Sequence, residues 1–513
     1  MTQVKTRNVQ RLSTGIPPLD TVLGGGLPVG SLTVLSGVPG TGKTILAQQI
    51  CFNSATRKHK AVYYSTISEP PGKFIANLET FDFFDRSALV DRVEFINLGE
   101  LLQASGKEGL ASMMDEIVRK CVEEHPVVVV VDSAKALRDF SESERALRSA
   151  VYKFAARIAH TDTTVIFVGE YSSDEIASAP EFSLADGIVE LVYEAHQPMD
   201  RRWLRVRKLR SASPLSGQHP LRISEAGITV FVRAETLDGG HLQSGAEPQG
   251  RTTIGVPGLD EMCHGGLPRG GSTLVLGPSG CGKTALALRF IVQGLEDGER
   301  CLYITFQENA AQLIRKAASF GWDLRPFLES GQLAIYHVPE GALDLDVVAS
   351  VVREHLAAAP IQRMAIDSLA EMVLAARESE RFPAYARALL GMLRAAGVSV
   401  LTTSETSSLG PMTDPVGGLS FLYHNVFLLR YIEQNSEVGR AVAIFKMRNS
   451  AHEKGLWRFA ITDHGFQVLE KLEGVSGLLG WTVLSDSPTS EPIAPPKTRS
   501  RKRSGPDAVR PKT

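Results

Sequence analysis

The chain has 513 residues, 43% hydrophobic and 22% charged, with a mean hydropathy of −0.03. That is too long for a single core and excludes a fibrous or low-complexity class. The 55 Lys and Arg against 57 Asp and Glu leave a formal net charge of −2, so no global field draws the chain to nucleic acid or to an anionic membrane. Five cysteines (Cys51, Cys121, Cys263, Cys281, Cys301) are odd in number and lack C-x-x-C or zinc spacing, which points to a reducing, cytoplasmic setting. The N-terminus carries no apolar leader run and no stretch of about 18 apolar residues occurs, so neither secretion nor a membrane span is expected.

In chain order, an apolar run at 32–35 leads into Gly37-Val38-Pro39-Gly40-Thr41-Gly42-Lys43-Thr44, and a helical pattern follows from Ile45. This is G-x-x-x-x-G-K-[ST] in the strand–loop–helix context that a phosphate cradle needs. Its glycines let backbone N–H groups converge on phosphate oxygens at a helix N-terminus. Lys43 is expected to reach the β/γ-phosphates and Thr44 to hold Mg2+. Further strands are predicted at 61–65, 127–131, 164–168 and 188–192. The helix between the third and fourth shows apolar spacing at Leu147, Val151, Phe154 and Ile158. Residues 236–250 have the Gly, Ser and Pro content of a linker.

The motif then returns. Residues 13–44 align without gaps to 253–284, and the second cradle is Gly277-Pro278-Ser279-Gly280-Cys281-Gly282-Lys283-Thr284. Other features recur at nearly the same spacing: Glu69 and Glu308, Asp132-Ser133 and Asp367-Ser368, Lys208-Leu209-Arg210 and Lys446-Met447-Arg448. One unit written twice is the economical account. Alternating strands and helices make each unit an α/β domain around a mostly parallel sheet. The expected division is 1–240, 241–484, and a basic Pro/Ser-rich tail at 485–513 that cannot form a core.

The duplicated residues suggest roles. Asp132 and Asp367, each closing an apolar strand, are placed to organise Mg2+ beside Thr44 and Thr284. Glu69 and Glu308, with their neighbours Ser68 and Gln307, follow the second strand of each unit and are candidates for orienting or deprotonating the attacking oxygen. The two basic tripeptides lie too far along for the cradle of their own unit and suit a reach onto a neighbour's γ-phosphate. Cys281, inside the second loop, reads as a small loop residue or an oxidation-sensitive one.

Residues 12–480 resemble the KaiC family of double-domain, RecA-like clock ATPases. The marks are the segments before both loops, Asp132-Ser133, Asp367-Ser368, Lys208-Leu209-Arg210 and the run from Ile444 to His452. The resemblance implies two tandem RecA-like P-loop domains and a homohexamer with ATP and Mg2+ at subunit interfaces. Lys208 and Arg210, or Arg440, Lys446 and Arg448, would then contact a neighbour's nucleotide. It also implies slow ATP hydrolysis and autophosphorylation of an adjacent Ser and Thr in the second unit. The sequence departs from that family three times, one departure being the Pro-rich, basic tail, which does not match the family's partner-binding tail. Ser68 and Gln307 stand where paired glutamates are expected, and the phosphoacceptor pair falls on Ser420 and Phe421, leaving one hydroxyl. A regulatory protein partner for the second unit or the tail fits this reading. Two alternatives remain open: a RecA-like recombination or repair ATPase on DNA, which the neutral charge disfavours, and a nucleotide-gated scaffold with little turnover.

Overall fold

The computed structural model describes residues 10–65, 71–98, 109–172, 175–176, 179–195, 200–237, 249–339, 343–376, 380–406, 419–434, 437–473, 475–476 and 484–485. Candidates Ser68 and Glu69, most of the linker and nearly all of the tail lie outside these residues.

The first unit runs β1 (Leu32–Gly37), α1 (Lys43–Ser54), β2 (Ala61–Ser65), β3 (Val93–Asn97), α2 (Gly109–Glu124), β4 (Val128–Asp132), α3 (Glu144–Ile158), β5 (Thr164–Glu170), β6 (Gly187–Glu194), β7 (Arg201–Leu209), β8 (His219–Ser224) and β9 (Gly227–Val230). These strands form one nine-stranded sheet ordered β9-β8-β7-β6-β1-β5-β4-β2-β3. Pairing is parallel from β6 to β3 and antiparallel from β6 to β9.

The second unit repeats this order. It contains β10 (Ser272–Gly277), α4 (Lys283–Glu296), β11 (Cys301–Thr305), α5 (Ala310–Ser319), β12 (Leu333–His337), α6 (Leu345–Ala358), β13 (Arg363–Asp367), α7 (Leu369–Ala375), α8 (Arg381–Ala395), β14 (Ser399–Glu405), β15 (Asn425–Gln434), β16 (Glu437–Met447), β17 (Trp457–Thr462) and β18 (Gly465–Lys471). Its sheet order is β18-β17-β16-β15-β10-β14-β13-β11-β12, strand for strand the same. The register shift between Ile188 and Val189 recurs between Val426 and Phe427. Two mostly parallel α/β sheets flanked by helices are thus present, as expected.

Side-chain chemistry explains the elements. β4 carries four consecutive valines, all buried, as a strand covered on both faces requires. It starts one residue later than expected and ends on Asp132, which is in register with Val168 and Ser65. β1 extends beyond the expected 32–35 because Ser36 and Gly37 pair with Gly169 and Glu170. α3 keeps its apolar stripe of Leu147, Val151, Phe154 and Ile158 buried, and Ser143 caps it by accepting from Ala146 N–H. β13 opens on a charged residue because Arg363, 1% exposed, has a partner on each of its three nitrogens. It donates to Asp297, Glu299, Thr253 O and Phe290 O.

The end of the first unit is tied into the second. Ala234 packs within the second unit's core, and its N–H donates to Asp346 Oδ1 at 3.2 Å. Arg381 donates to both Glu235 and Asp346, and Arg233 also pairs with Glu235. Burial pushes the Asp346 carboxyl up to about 6 although Arg381 opposes it. Around Glu235, burial is outweighed by Arg381 and Arg233, which hold its carboxyl down at about 2.

Arg381→Ala leaves the Asp346 carboxylate buried without its cation, and a loss of about 3–5 kcal/mol is expected in urea unfolding of the second unit at pH 7. A carboxyl whose folded pKa lies above its unfolded one binds protons better when folded, so its penalty grows as the pH rises through that range. Without Arg381, Asp346 moves further up from about 6. The deficit of the variant should therefore shrink between pH 7 and pH 5, a trend readable from unfolding midpoints.

Candidate functional site

Both cradles lie at the C-terminal edge of the parallel strands, where open α/β sheets gather ligand-handling groups. Gly42 and Gly282 precede α1 and α4 in the left-handed region, at φ 98° and 108°, so the loop can turn its N–H groups inward before the helix begins. At Gly37 a Cβ would stand 2.2 Å from Leu191 O, and only glycine lets the loop pass β6 this closely. In the first unit a cavity of about 670 Å3 spreads over the loop, lined among others by Lys43, Thr44, Asp132, Ser133 and Glu170.

Each loop lysine is folded over its own cradle. Lys43 Nζ donates to Val38 O at 2.8 Å; Lys283 Nζ donates to Gly277 O at 2.9 Å and Pro278 O at 2.8 Å. Burial lowers the pKa of Lys43, and the carboxylates of Glu170 and Asp132 work against that. Thr41 is buried and donates back to Val38 O. Cys281 is buried beneath the second loop, and burial raises its thiol pKa, which fits a packing role. All five cysteines are free and buried.

The expected pairing of loop hydroxyl and strand-end carboxylate is present twice. Thr44 Oγ1 donates to Asp132 Oδ2 at 2.7 Å, and Thr284 Oγ1 donates to Asp367 Oδ2 at 2.8 Å. A tyrosine on the second strand donates to the same oxygen, Tyr63 at 2.6 Å and Tyr303 at 3.0 Å. Desolvation, reinforced by that carboxylate, raises both phenol pKa values, so the tyrosines stay protonated donors. A hydroxyl and a carboxylate side by side at the cradle are a hard-oxygen donor set of the kind Mg2+ takes together with substrate phosphates. The residues fit that ion.

The residues after β11 are held by local structure. Asn309 and Gln312 form a reciprocal capping box at the start of α5, and Thr305 Oγ1 donates to Glu308 O at 2.7 Å. Glu308 is paired with Lys316 through Oε1, leaving Oε2 buried without a partner, and its charge reaches Tyr303. Gln307 donates to Glu371.

The basic tripeptides end β7 and β16. Alternation puts Lys208 and Arg210 on one face and Leu209 on the other; Leu209 and Met447 are buried in their own cores. Lys208 Nζ donates to Ser183 O at 3.4 Å, and Arg210, half-exposed, approaches Asp186 at 3.4 Å. In the second unit, Lys446 Nζ donates to Ser420 O and Tyr423 O, and Arg448 to Phe421 O. Desolvation, then the neighbouring arginine, lowers the pKa of Lys208 and of Lys446. Ser420 itself lies half-buried in the short turn Leu419–Leu422.

Sequence reasoning missed two sets of residues. Glu170 and Glu405 end β5 and β14 in register with Gly37 and Gly277; their signal was a carboxylate closing the same strand in both copies. The second set is an Arg–Tyr pair under each loop. The Arg202 guanidinium lies 5.3 Å from the Tyr193 ring and donates to Gly40 O. Arg440 lies 5.7 Å from the Tyr431 ring, whose hydroxyl donates to Ser279 O. In this second pair it is Tyr431 that bonds the loop.

The model of the family described as "ATPase: KaiC" matches residues 12–235 and 252–473. Three of the similar curated proteins bear the name circadian clock oscillator protein KaiC. That from Parathermosynechococcus lividus is 29% identical over 94% of this chain and 89% of its own length. Those from Thermostichus vulcanus and Thermosynechococcus vestitus are 27% identical over 94% of this chain and 93% of theirs. With two family matches falling on two sheets of identical topology, each with its own cradle, this chain belongs to the KaiC ATPase family.

Proposed function

We propose that the chain binds Mg·ATP in both units, hydrolyses it slowly, and uses the nucleotide state to drive a regulatory output from a cytoplasmic homohexamer. The observation that carries this reading is the doubled contact of Thr44 with Asp132 and Thr284 with Asp367 beside a lysine-bearing cradle. Mg2+ held by these pairs supplies charge neutralisation on the β/γ-phosphate oxygens. The chain's own groups do the rest: loop N–H groups and Lys43 or Lys283 position the phosphates, and strand-end carboxylates face the attacking oxygen. Among the described residues no helix is long and apolar enough to cross a membrane. The names of the curated relatives support a timing or signalling output through a protein partner.

Lys208, Arg210, Lys446 and Arg448 end edge-directed strands as cationic pairs, which supports a reach to a nucleotide on the next subunit. Arg210 suits this best, because its contact with Asp186 is long and its side chain is 60% exposed. The segment gripped by Lys446 and Arg448 contains Ser420, which supports autophosphorylation of that hydroxyl.

Lys43→Ala and Lys283→Ala should each reduce bound nucleotide from two per chain to one, measured after isolation in Mg·ATP; unchanged stoichiometry in both would refute the cradle assignment. Arg210→Ala should keep nucleotide in the isolated chain yet lower ATP-dependent assembly and first-unit turnover by about 10-fold or more, read by size analysis and ADP release. Incubation with Mg·ATP should add one phosphate that maps to Ser420 by intact mass and peptide sequencing. A chain that stays unmodified would remove the autokinase part and leave the ATPase.

A further inference from the structure

The turn after β4 brings two cations to the first cavity. Lys135 and Arg138 line it together with Lys43, Thr44, Asp132 and Glu170. Both lie on the 3-10 turn Ala134–Phe140, three and six residues after the strand-end aspartate. At the same two positions the second unit has Ala370 and Val373, so the repeat is apolar where the first unit is charged.

Tyr171, the residue after Glu170, supports both cations. Its ring centroid lies 5.6 Å from Lys135 Nζ and 5.7 Å from the Arg138 guanidinium, within cation–π range. The two differ in how firmly they are held. Arg138 donates to Glu181 Oε1 from Nε at 3.3 Å and from Nη2 at 2.9 Å, and the Tyr171 hydroxyl donates to the same oxygen at 2.7 Å. The Glu181 side chain is 6% exposed and its Oε2 is buried without a hydrogen bond, so withdrawing Arg138 leaves a buried carboxylate without its cation. Lys135 instead pairs with Glu175 Oε1 at 2.8 Å, the two side chains being 39% and 34% exposed. Glu175 Oε2 already accepts from Ser172 N–H at 2.8 Å. An ion pair this open contributes little, and Lys135 can exchange its carboxylate for a phosphate oxygen where Arg138 cannot.

We propose that Lys135 is a γ-phosphate contact of the first site, given in cis by the chain that carries the cradle, and that it makes this site prefer a nucleoside triphosphate to a diphosphate. This rests on the reading of that site as an Mg·ATP site. Thr44 and Asp132 mark where the metal joins the β- and γ-oxygens, and Lys135 follows Asp132 by three residues. Asp132 and Glu170 bring negative charge to the same cavity, and a γ-phosphate adds more, which a nearby cation offsets. Lys135 is the exchangeable cation beside that end of the phosphate chain. Arg138 is a positioning residue that keeps Tyr171 in place against it.

The test uses the full chain carrying Lys283→Ala, which confines nucleotide to the first site, and compares AMP-PNP with ADP by calorimetric titration in Mg2+. Adding Lys135→Ala should weaken AMP-PNP by about 10-fold or more while ADP stays within about twofold, as expected for losing one hydrogen bond to a charged group. Lys135→Arg should restore most of the preference. Glu175→Gln, which frees Lys135 from its carboxylate, should leave AMP-PNP bound at least as tightly. Unchanged AMP-PNP affinity in Lys135→Ala overturns the proposal, and so does an equal loss for both nucleotides. A Glu175→Gln chain that reproduces the loss also overturns it, because the ion pair would then matter only to local structure. If the Lys283→Ala chain binds neither nucleotide, the Mg·ATP reading of the first site fails and the proposal falls with it.

Discussion

The hydrogen bond from the loop threonine to the strand-end aspartate is the contact around which each unit is arranged. It requires the start of α1 to meet the end of β4 across the intervening strand β5, which only a parallel register with aligned C-terminal ends provides. The short Thr44–Asp132 distance follows from that register, and so does its copy in the second unit. The buried tyrosine on the neighbouring strand donates to the same carboxylate oxygen, so the anion is solvated by the protein rather than by water. An aspartate at this depth without Thr and Tyr donors would be costly to keep charged.

Around that shared centre the described residues of the two units can be compared at the sheet edge. Both present a strand-end glutamate, Glu170 or Glu405, in register with the first loop glycine. Among the described residues, the second unit adds a chain of contacts from Gln307 through Glu371 to Ser368. The Arg–Tyr pairs beneath the loops belong to the shared part: they brace Gly40 and Ser279 carbonyls from the antiparallel extension.

The units are joined by more than chain continuity. Arg381 bridges Glu235 from the first unit's end to Asp346 in the second unit's core. An ion network of this burial adds little net stability when whole and much instability when broken, so it specifies one docking of the 234–236 segment over others.

The sequence by itself determined the duplicated α/β architecture, the two cradles and the two strand-end aspartates, because each rests on local pattern: G-x-x-x-x-G-K-[ST] between an apolar run and a helix, and β-branched runs ending in Asp. Nothing adjacent in the chain could show that the Glu371 carboxylate would face Gln307, 64 positions away. The pairing of Glu308 with Lys316 of α5 likewise came only from the fold. The pairing of β15 with β16, which no local pattern announced, sets Arg440 over Tyr431 within its own chain. Backbone propensity and hydrophobic period are properties of neighbours in sequence, whereas the partner of a charged side chain is chosen by which strands and helices the fold brings within about 3 Å of it, and only the tertiary structure decides that.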